Sequence, residues 1–354
     1  MSGAIADFAE RIRACAAAGG SLQLRGGGSK DFYGGAALGE PLHTREHAGI
    51  VAYEPSELVI TARCGTPLAE IEEKLARCGQ MLAFEPPHFG SNATIGGAVA
   101  AGLSGPRRAS AGALRDFVLG VKLMDGRGEV LTFGGQVMKN VAGYDVSRLM
   151  AGAMGTLGLI LEVSLKTLPS PKVELSLLLE MPEGKAIDTI NQWAARPLPV
   201  SAVAWNDGDL YVRLSGAEAA VLAAAEKMGG SRVEPTQAEC FWRGIREHSD
   251  PYFNKGKPLW RISVPSNAET LELPGEQLIE WNGALRWLAS NAEAHAIREA
   301  ASKQGGHATL FRGGDKAVGV FHRLSAPLMA IHQRLKNVFD PGAVFNRGRM
   351  YGEF

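Results

Sequence analysis

Apolar positions in the first half of the chain come in short runs that end in glycine or proline, a pattern of alternating strands and helices. Residues 21–25 predict a strand that runs straight into glycines, and residues 58–63 a strand rich in β-branched side chains. Thr66-Pro67 reads as a helix start, with Thr66 as N-cap, Pro67 in the first helical position and Gly79 as terminator. Strands at 116–125 and 129–133 flank Asp125-Gly126-Arg127-Gly128, a hairpin signal. A long apolar strand, 157–168, is closed by Pro169-Ser170-Pro171, which marks the domain boundary.

The second half has a different rhythm. A strand at 173–181, a helix at 185–195 and a strand at 201–205 are followed by the turn Asn206-Asp207-Gly208. A strand at 210–214, a helix at 217–228 and a strand near Arg232 complete β-α-β-β-α-β, the ferredoxin-like order. The order recurs as a strand at 260–264, a helix near Glu269, strands at 278–281 and 285–288, a helix at 293–303 and a strand at 307–312. No residue-level repeat accompanies it. Residues 324–338 form a last amphipathic helix, ended by Asp340-Pro341-Gly342. The expected class is α+β, with domains at 1–170 and 171–320 and a C-terminal helix and tail at 321–354 that returns to the first domain.

Composition removes several classes of function. Lys plus Arg and Asp plus Glu both number 37, and Pro106-Arg107-Arg108 is the only short basic cluster, so a nucleic-acid partner is not expected. Cys15, Cys64, Cys78 and Cys240 form no Cys-x-x-Cys and sit beside no histidine at ligand spacing. His43 and His47 are the one close histidine pair, two ligands where a catalytic metal normally has about three from the protein. No metal site is therefore expected. The uncharged apolar run 149–161 is shorter than the roughly 20 residues of a membrane span. The N-terminal helix carries acidic residues early, unlike a signal peptide. A cytoplasmic protein is expected. Glycine is the outlier, with 44 of 354 residues against about 7% on average.

The glycines cluster at three places. The first is Leu24-Arg25-Gly26-Gly27-Gly28-Ser29-Lys30, where a strand runs into three glycines, a hydroxyl and a cation. Glycines let backbone N–H groups turn together toward an oxyanion, so phosphate or pyrophosphate is the ligand this pattern suits, alongside a plain turn. It is neither a P-loop nor a dinucleotide fingerprint. The second runs from Pro86 and Pro87 through His88, Ser91, Thr94, Gly96 and Gly97 to Gly102, with small residues on both faces. The third is Lys139-Asn140-Val141-Ala142-Gly143-Tyr144-Asp145, then Gly155-Thr156-Leu157-Gly158-Leu159-Ile160.

In this order the three clusters resemble the FAD-binding domain of the vanillyl-alcohol oxidase/p-cresol methylhydroxylase (PCMH) flavoproteins over about residues 1–170. Phe339-Asp340-Pro341 and Phe345-Asn346-Arg347-Gly348-Arg349 extend the match. Within that superfamily the chain is similar to the family of FAD-binding E subunits of bacterial glycolate oxidases. Motifs from Lys139, Phe241, Pro258 and Gly283 carry that similarity across nearly the whole chain. The resemblance implies a two-subdomain flavin domain under a cap domain with an antiparallel sheet. It implies FAD contacts at Arg25, Gly26, Gly27, Gly28, Ser29, Lys30, Pro87, Ser91, Thr94, Gly96, Gly97, Gly102, Gly158, Ile160 and Asn346. It also implies oxidation of glycolate, a small 2-hydroxy acid, with a larger FAD subunit and an iron–sulfur subunit as partners. Any membrane association would run through those partners.

Departures from the family pattern shape the remaining expectations. Gly28 stands where covalent members carry a linking histidine, so the FAD is expected to be non-covalent. The metal-binding histidine segment of the related D-2-hydroxyacid dehydrogenases is missing: His307 is followed by Ala-Thr-Leu-Phe-Arg-Gly-Gly. Met154 replaces an acid, and Arg347 a proline. Arg246, Arg261 and His307 are the candidates for substrate chemistry, with no general base identified. Two alternatives stay open: a free-standing FAD-dependent dehydrogenase of another small 2-hydroxy acid, and a non-catalytic flavin or scaffold subunit.

Overall fold

The computed structural model describes residues 3–36, 38–135 and 145–354. They divide into two compact units. The first comprises 1–103, 113–169 and 323–354, and the second 104–112 and 170–322.

The first unit opens with α1 (Gly3–Ala17), whose Phe8, Ala9 and Ile12 lie one turn apart and are buried together. β1 (Leu22–Arg25) and β2 (Glu40–His43) then pair in parallel. β3 (Ile50–Glu54) and β4 (Val59–Arg63) are followed by α2 (Leu68–Ala76), β5 (Gln80–Met81) and α3 (Ile95–Ala101). Helix α4 (Arg108–Ala111) belongs to the other unit. After it come α5 (Leu114–Phe117), β6 (Val118–Met124), β7 (Val130–Gly134), α6 (Val146–Leu149), β8 (Leu159–Lys166) and β9 (Leu168–Pro169). Five strands form one antiparallel sheet in the order β3-β4-β8-β6-β7. Six of the eight residues of central β8 are buried, because both of its faces are covered. In the β6–β7 hairpin, buried Asp125 accepts the N–H groups of Arg127 and Glu129 on Oδ1, each at 2.9 Å, which closes the turn.

The expected start of α2 differs in one respect. The helix begins at Leu68 with Pro67 as N-cap. The Thr66 hydroxyl instead accepts the Gly49 N–H at 2.9 Å and donates to the Arg63 carbonyl at 2.7 Å, so it ties two loops together and caps nothing.

The second unit is built on one antiparallel sheet of eight strands. Its first half holds β10 (Val173–Glu180), α7 (Glu183–Ala194), β11 (Val200–Asn206), β12 (Asp209–Gly216), α8 (Glu218–Met228) and β13 (Ser231–Arg232). The turn between β11 and β12 has Asp207 at φ +50° and Gly208 at φ +93°, the left-handed pair that a two-residue hairpin requires. After α9 (Pro235–Glu247) the second half adds β14 (Leu259–Ser263), β15 (Glu276–Glu280), β16 (Leu285–Ala289), α10 (Ala294–Lys303) and β17 (His307–Arg312). The strand order is β13-β10-β12-β11-β15-β16-β14-β17. Each half is a ferredoxin-like order, and the two join through the β11–β15 pairing.

The second half lacks the helix expected near Glu269. Residues 264–275 form an irregular strap between Pro265 and Pro274-Gly275, which hold the chain out of helical geometry. Ala268 and Leu271 fill the helix's place against Ile262, Leu288 and Ile297. The buried Arg286 guanidinium donates to Ala268 O and Gly283 O, pinning the strap. The chain then returns to the first unit with α11 (Ala326–Phe339).

Candidate functional site

The glycines after β1 open a cleft in the first unit. Gln23, Leu24, Arg25, Gly26, Gly27, Gly28, Ser29, Lys30 and Asp31 form one wall, with Thr94, Gly97, Ala100, Ala101, Met154, Asn346 and Arg349 around it. A second lobe shares Leu24, Arg25, Gly26, Gly97, Ala100, Met154 and Asn346. It continues to Thr44, Cys64, Gly96, Gly155, Gly158, Leu159 and Ile160. The cleft is thus elongated. One end carries the cations Arg25 and Lys30, and the other is lined by backbone and apolar side chains.

The reasons for glycine differ along the wall. A Cβ on Gly27 would sit 1.5 Å from Asn92 O, and one on Gly26 would lie 2.5 Å from Thr94 Oγ1. These two positions let the loop after β1 pack on the segment that starts α3. Gly28 has φ +75°, which favours glycine in its own right. A Cβ on Gly96 would meet Cys64 Cβ at 2.5 Å, and one on Gly158 would meet the Leu123 side chain at 2.9 Å. Gly97 is the exception: a Cβ there meets only Thr94 Oγ1, at 3.2 Å, and the residue lines both lobes. Open space beside Gly97 is a cradle kept free of side chain, which fits a ligand that runs along the cleft.

Charged groups at the cationic end are held in place. The Arg25 guanidinium pairs with Asp31, with Nε to Oδ2 at 2.7 Å. Lys30 Nζ donates to His88 O at 3.2 Å and lies 5.7 Å from the centroid of the Phe89 ring. His88 itself pairs with Glu72 on α2 at 3.0 Å. Thr94 caps α3 by accepting the Gly97 N–H. Burial pushes the Cys64 thiol up to about 12, so it lines the cleft as a neutral group.

The C-terminal tail completes the cleft. Asn346 is buried with φ +46°, donates from Nδ2 to Met154 O at 2.6 Å and accepts the Leu24 N–H at 2.8 Å. Arg349 reaches the carbonyls of Lys30, Asp31 and Gly35 with its two terminal nitrogens. Lys336 Nζ, buried in α11, donates to Thr156 O, Asp340 Oδ2 and Phe345 O within 2.9 Å. Asp340 also accepts the N–H groups of Val344 and Phe345. This buried pair shapes the turn that delivers Asn346 to the cleft.

Of the residues singled out in the sequence, Arg25 to Lys30, Thr94, Gly96, Gly97, Gly158, Ile160 and Asn346 line the two lobes. Pro87, Ser91 and Gly102 do not. Pro87 is buried and Ser91 exposed. Gly102 ends α3 at φ +64°, where a Cβ would strike Gly152. Lys139 to Tyr144 lie outside the described residues. Sequence reasoning missed Thr44, Cys64, Met154 and Arg349 as lining residues. In the second unit, Arg246 on α9 pairs with the adjacent Glu247 at 2.8 Å. Arg261 on β14 lies over the Trp281 ring at 5.1 Å. Burial and the Arg261 charge hold His307 below the usual imidazole value.

The model of the FAD binding domain family matches residues 3–134. Glycolate oxidase subunit GlcE of Escherichia coli K12 is 52% identical over 332 residues, covering 94% of this chain and 93% of that protein. The chain belongs to the GlcE family of FAD-binding flavoproteins. Glycolate oxidase subunit GlcD of Bacillus subtilis is 38% identical over 97 residues, 27% of this chain and 21% of that protein. Among solved structures, alkyldihydroxyacetonephosphate synthase superposes with a TM-score of 0.68 at 14% identity, covering 96% of this chain and 74% of that one, which establishes the shared fold. The family match takes in the loop after β1 and the start of α3, which line both lobes of the cleft, while Met154 to Ile160 and the tail around Asn346 lie beyond it.

Proposed function

We propose that this chain is the FAD-binding subunit of a multi-subunit glycolate oxidase that converts glycolate to glyoxylate. The observation that carries the reading is the cleft itself: ordered glycine clusters from distant parts of the chain meet around the open space at Gly97, in a chain that matches a glycolate oxidase subunit over 94% of its length. Arg25 to Lys30 hold the pyrophosphate, by backbone N–H groups and the two cations. Thr94, Gly96 and Gly97 flank it, and Gly158 and Ile160 present backbone in the second lobe. Bound FAD supplies the two-electron acceptor for oxidation of the alcohol. The glycine at position 28 leaves no linking side chain there, and the cofactor is held without a covalent bond.

The partners in this reading are a larger FAD subunit and an iron–sulfur subunit. The four cysteines are separate free thiols, which supports placing the cluster in another chain. Among the described residues no group of three or more His, Cys, Asp or Glu is disposed to hold a metal, and no helix is long and apolar enough to cross a membrane. Among the described residues that line the cleft, the one carboxylate, Asp31, is taken by Arg25, so none is placed as a general base, and lack of one costs about 10²–10⁴-fold in rate. Anaerobic mixing of the isolated, FAD-loaded chain with glycolate should therefore leave the flavin absorbance unbleached for many seconds, while the assembled complex bleaches. Rapid bleaching of the isolated chain would favour a free-standing dehydrogenase and overturn the subunit reading.

A further inference from the structure

Helix α11 packs on the first unit through one face. Lys336 and Phe339 are its buried residues: Lys336 is tied to Thr156 and Asp340, and the Phe339 ring lies edge-on to Phe133 at 6.1 Å. A second row of side chains runs beside that face. Leu328, Ile331, Leu335 and Val338 follow at spacings of three, four and three residues, which sets them one above another along the helix. Leu328 is 48% exposed, Ile331 47% and Val338 63%, and Leu335 is half-buried. Apolar side chains exposed singly are ordinary; four in line at the three-four spacing of a helix–helix seam are not.

The charge beside this row is of one sign. From Lys316 to Phe339 the chain has no Asp or Glu. Arg334 stands at the middle of the row. It is exposed, its Nε donates to Ala330 O at 3.3 Å, and it forms no ion pair among the described residues. Arg127 reaches the far end, where Nη1 donates to Val338 O at 3.2 Å. The acid next in sequence, Asp340, is buried and taken by Lys336. A helix that is apolar along one row and cationic beside it suits a helix of the opposite pattern, an apolar seam with carboxylates beside it.

A second copy of this chain does not meet that requirement. Two-fold pairing lays a patch on itself, so Arg334 would meet its own counterpart with no carboxylate between them. Four side chains also fall well short of the roughly 20–30 residues a side of a stable interface. They suit one part of a broader contact between different chains.

We propose that the outer row of α11 docks a helix of a different subunit, whose apolar seam is flanked by Asp and Glu. This inference rests on the multi-subunit reading above and adds to it the face of this chain that the assembly covers.

The test uses the complex assembled when the tagged, full-length chain is expressed in its native source. Ile331 is replaced by the photo-crosslinker p-benzoylphenylalanine, and the crosslinked peptide is sequenced by mass spectrometry. The expected product is a peptide of another subunit with apolar residues at three-four spacing and Asp or Glu beside them. Ile331→Glu should lower the partner subunit retained on the tagged chain at least about tenfold, because it sets an unpaired carboxylate into the seam. FAD content and melting temperature should stay unchanged. Arg334→Glu should also weaken retention, and Arg334→Lys should restore it. Leu222→Glu, at an exposed apolar position on α8, should leave retention as it is. A crosslink to a second copy, to another part of this chain or to a peptide without acidic residues would overturn the proposal. So would equal losses in Leu222→Glu and Ile331→Glu. Binding of the isolated chain to vesicles of phosphatidylcholine and phosphatidylglycerol, abolished by Ile331→Glu, would make the row a membrane-contact face and overturn it too. A wild-type complex that Ile331→Glu leaves intact refutes this inference alone; a wild-type chain that co-purifies with no other subunit refutes the multi-subunit reading and this inference with it.

Discussion

Asn346 and Leu24, 322 residues apart in sequence, are joined by a hydrogen bond of 2.8 Å from the Leu24 N–H to the Asn346 side-chain oxygen. The Asn346 amide nitrogen donates to Met154 O at 2.6 Å. One side chain thus fixes the start of the glycine-rich loop to the segment that precedes β8, at the place where both lobes of the cleft meet. Asn346→Asp keeps the shape and still accepts from Leu24, but sets a carboxylate oxygen against the Met154 carbonyl. It should lower stability by about 1–3 kcal/mol, the cost of a buried unsatisfied or opposed polar group, and reduce the FAD retained after gel filtration. Denaturant melts and flavin absorbance check both. A variant that keeps wild-type stability and flavin would show that this bond positions nothing.

Gly27 and Gly97 should separate folding from cofactor binding. A Cβ on Gly27 collides with the Asn92 backbone, whereas one on Gly97 lies 3.2 Å from Thr94 Oγ1 and otherwise enters the cleft. Gly97→Ala should keep the melting temperature within a few degrees and weaken FAD at least about tenfold, the value of about 1.4 kcal/mol of lost contact. Gly27→Ala should lower both soluble yield and FAD content. Equal effects of the two substitutions would contradict the distinction.

Stability should fall as the solution is made acidic, in part through His248. Its ring is buried, stacked on Phe253 at 3.9 Å, and held well below the usual imidazole value by burial and by Arg312 and Arg261. The unfolded chain therefore binds the proton more readily than the folded one. The contribution of neutral His248 is fully present above about pH 6.5 and is lost as pH falls from there through its lowered folded value. His248→Asn suits the left-handed backbone at φ +53°. Although less stable at neutral pH, it should show a shallower loss between pH 7 and 5 in urea titrations. An unchanged slope would mean that His248 does not titrate with unfolding.

Much of this architecture is legible in the sequence because local chemistry and tertiary structure agree. Asn206-Asp207-Gly208 demands a tight hairpin and forms one. The apolar run of β8 becomes the centre of the first sheet, and the duplicated strand order of the second half appears as one sheet of eight strands. The differences have physical causes. Pro67 caps α2 because the Thr66 hydroxyl is taken by Gly49 and Arg63. The helix near Glu269 gives way to a strap bounded by prolines and pinned by Arg286. Residues 104–112 lie with the second unit, where Ser110 donates to Ser201 O and Gly105 accepts from Trp281, contacts between positions far apart in sequence. Arg349 escaped notice at the cleft because its partners are backbone carbonyls, which leave no trace in side-chain identity. Gly27 was legible as necessary; that Asn92 O is the atom it makes room for was not.

The most direct test of the central claim is the flavin content of the purified full-length chain before and after acid precipitation. The account expects one FAD per chain, all of it released to the supernatant, because the cleft holds the cofactor through backbone and cations with glycine at position 28. A colourless chain that takes up no added FAD would contradict the assignment of the cleft, and flavin that stays with the precipitated polypeptide would contradict non-covalent binding.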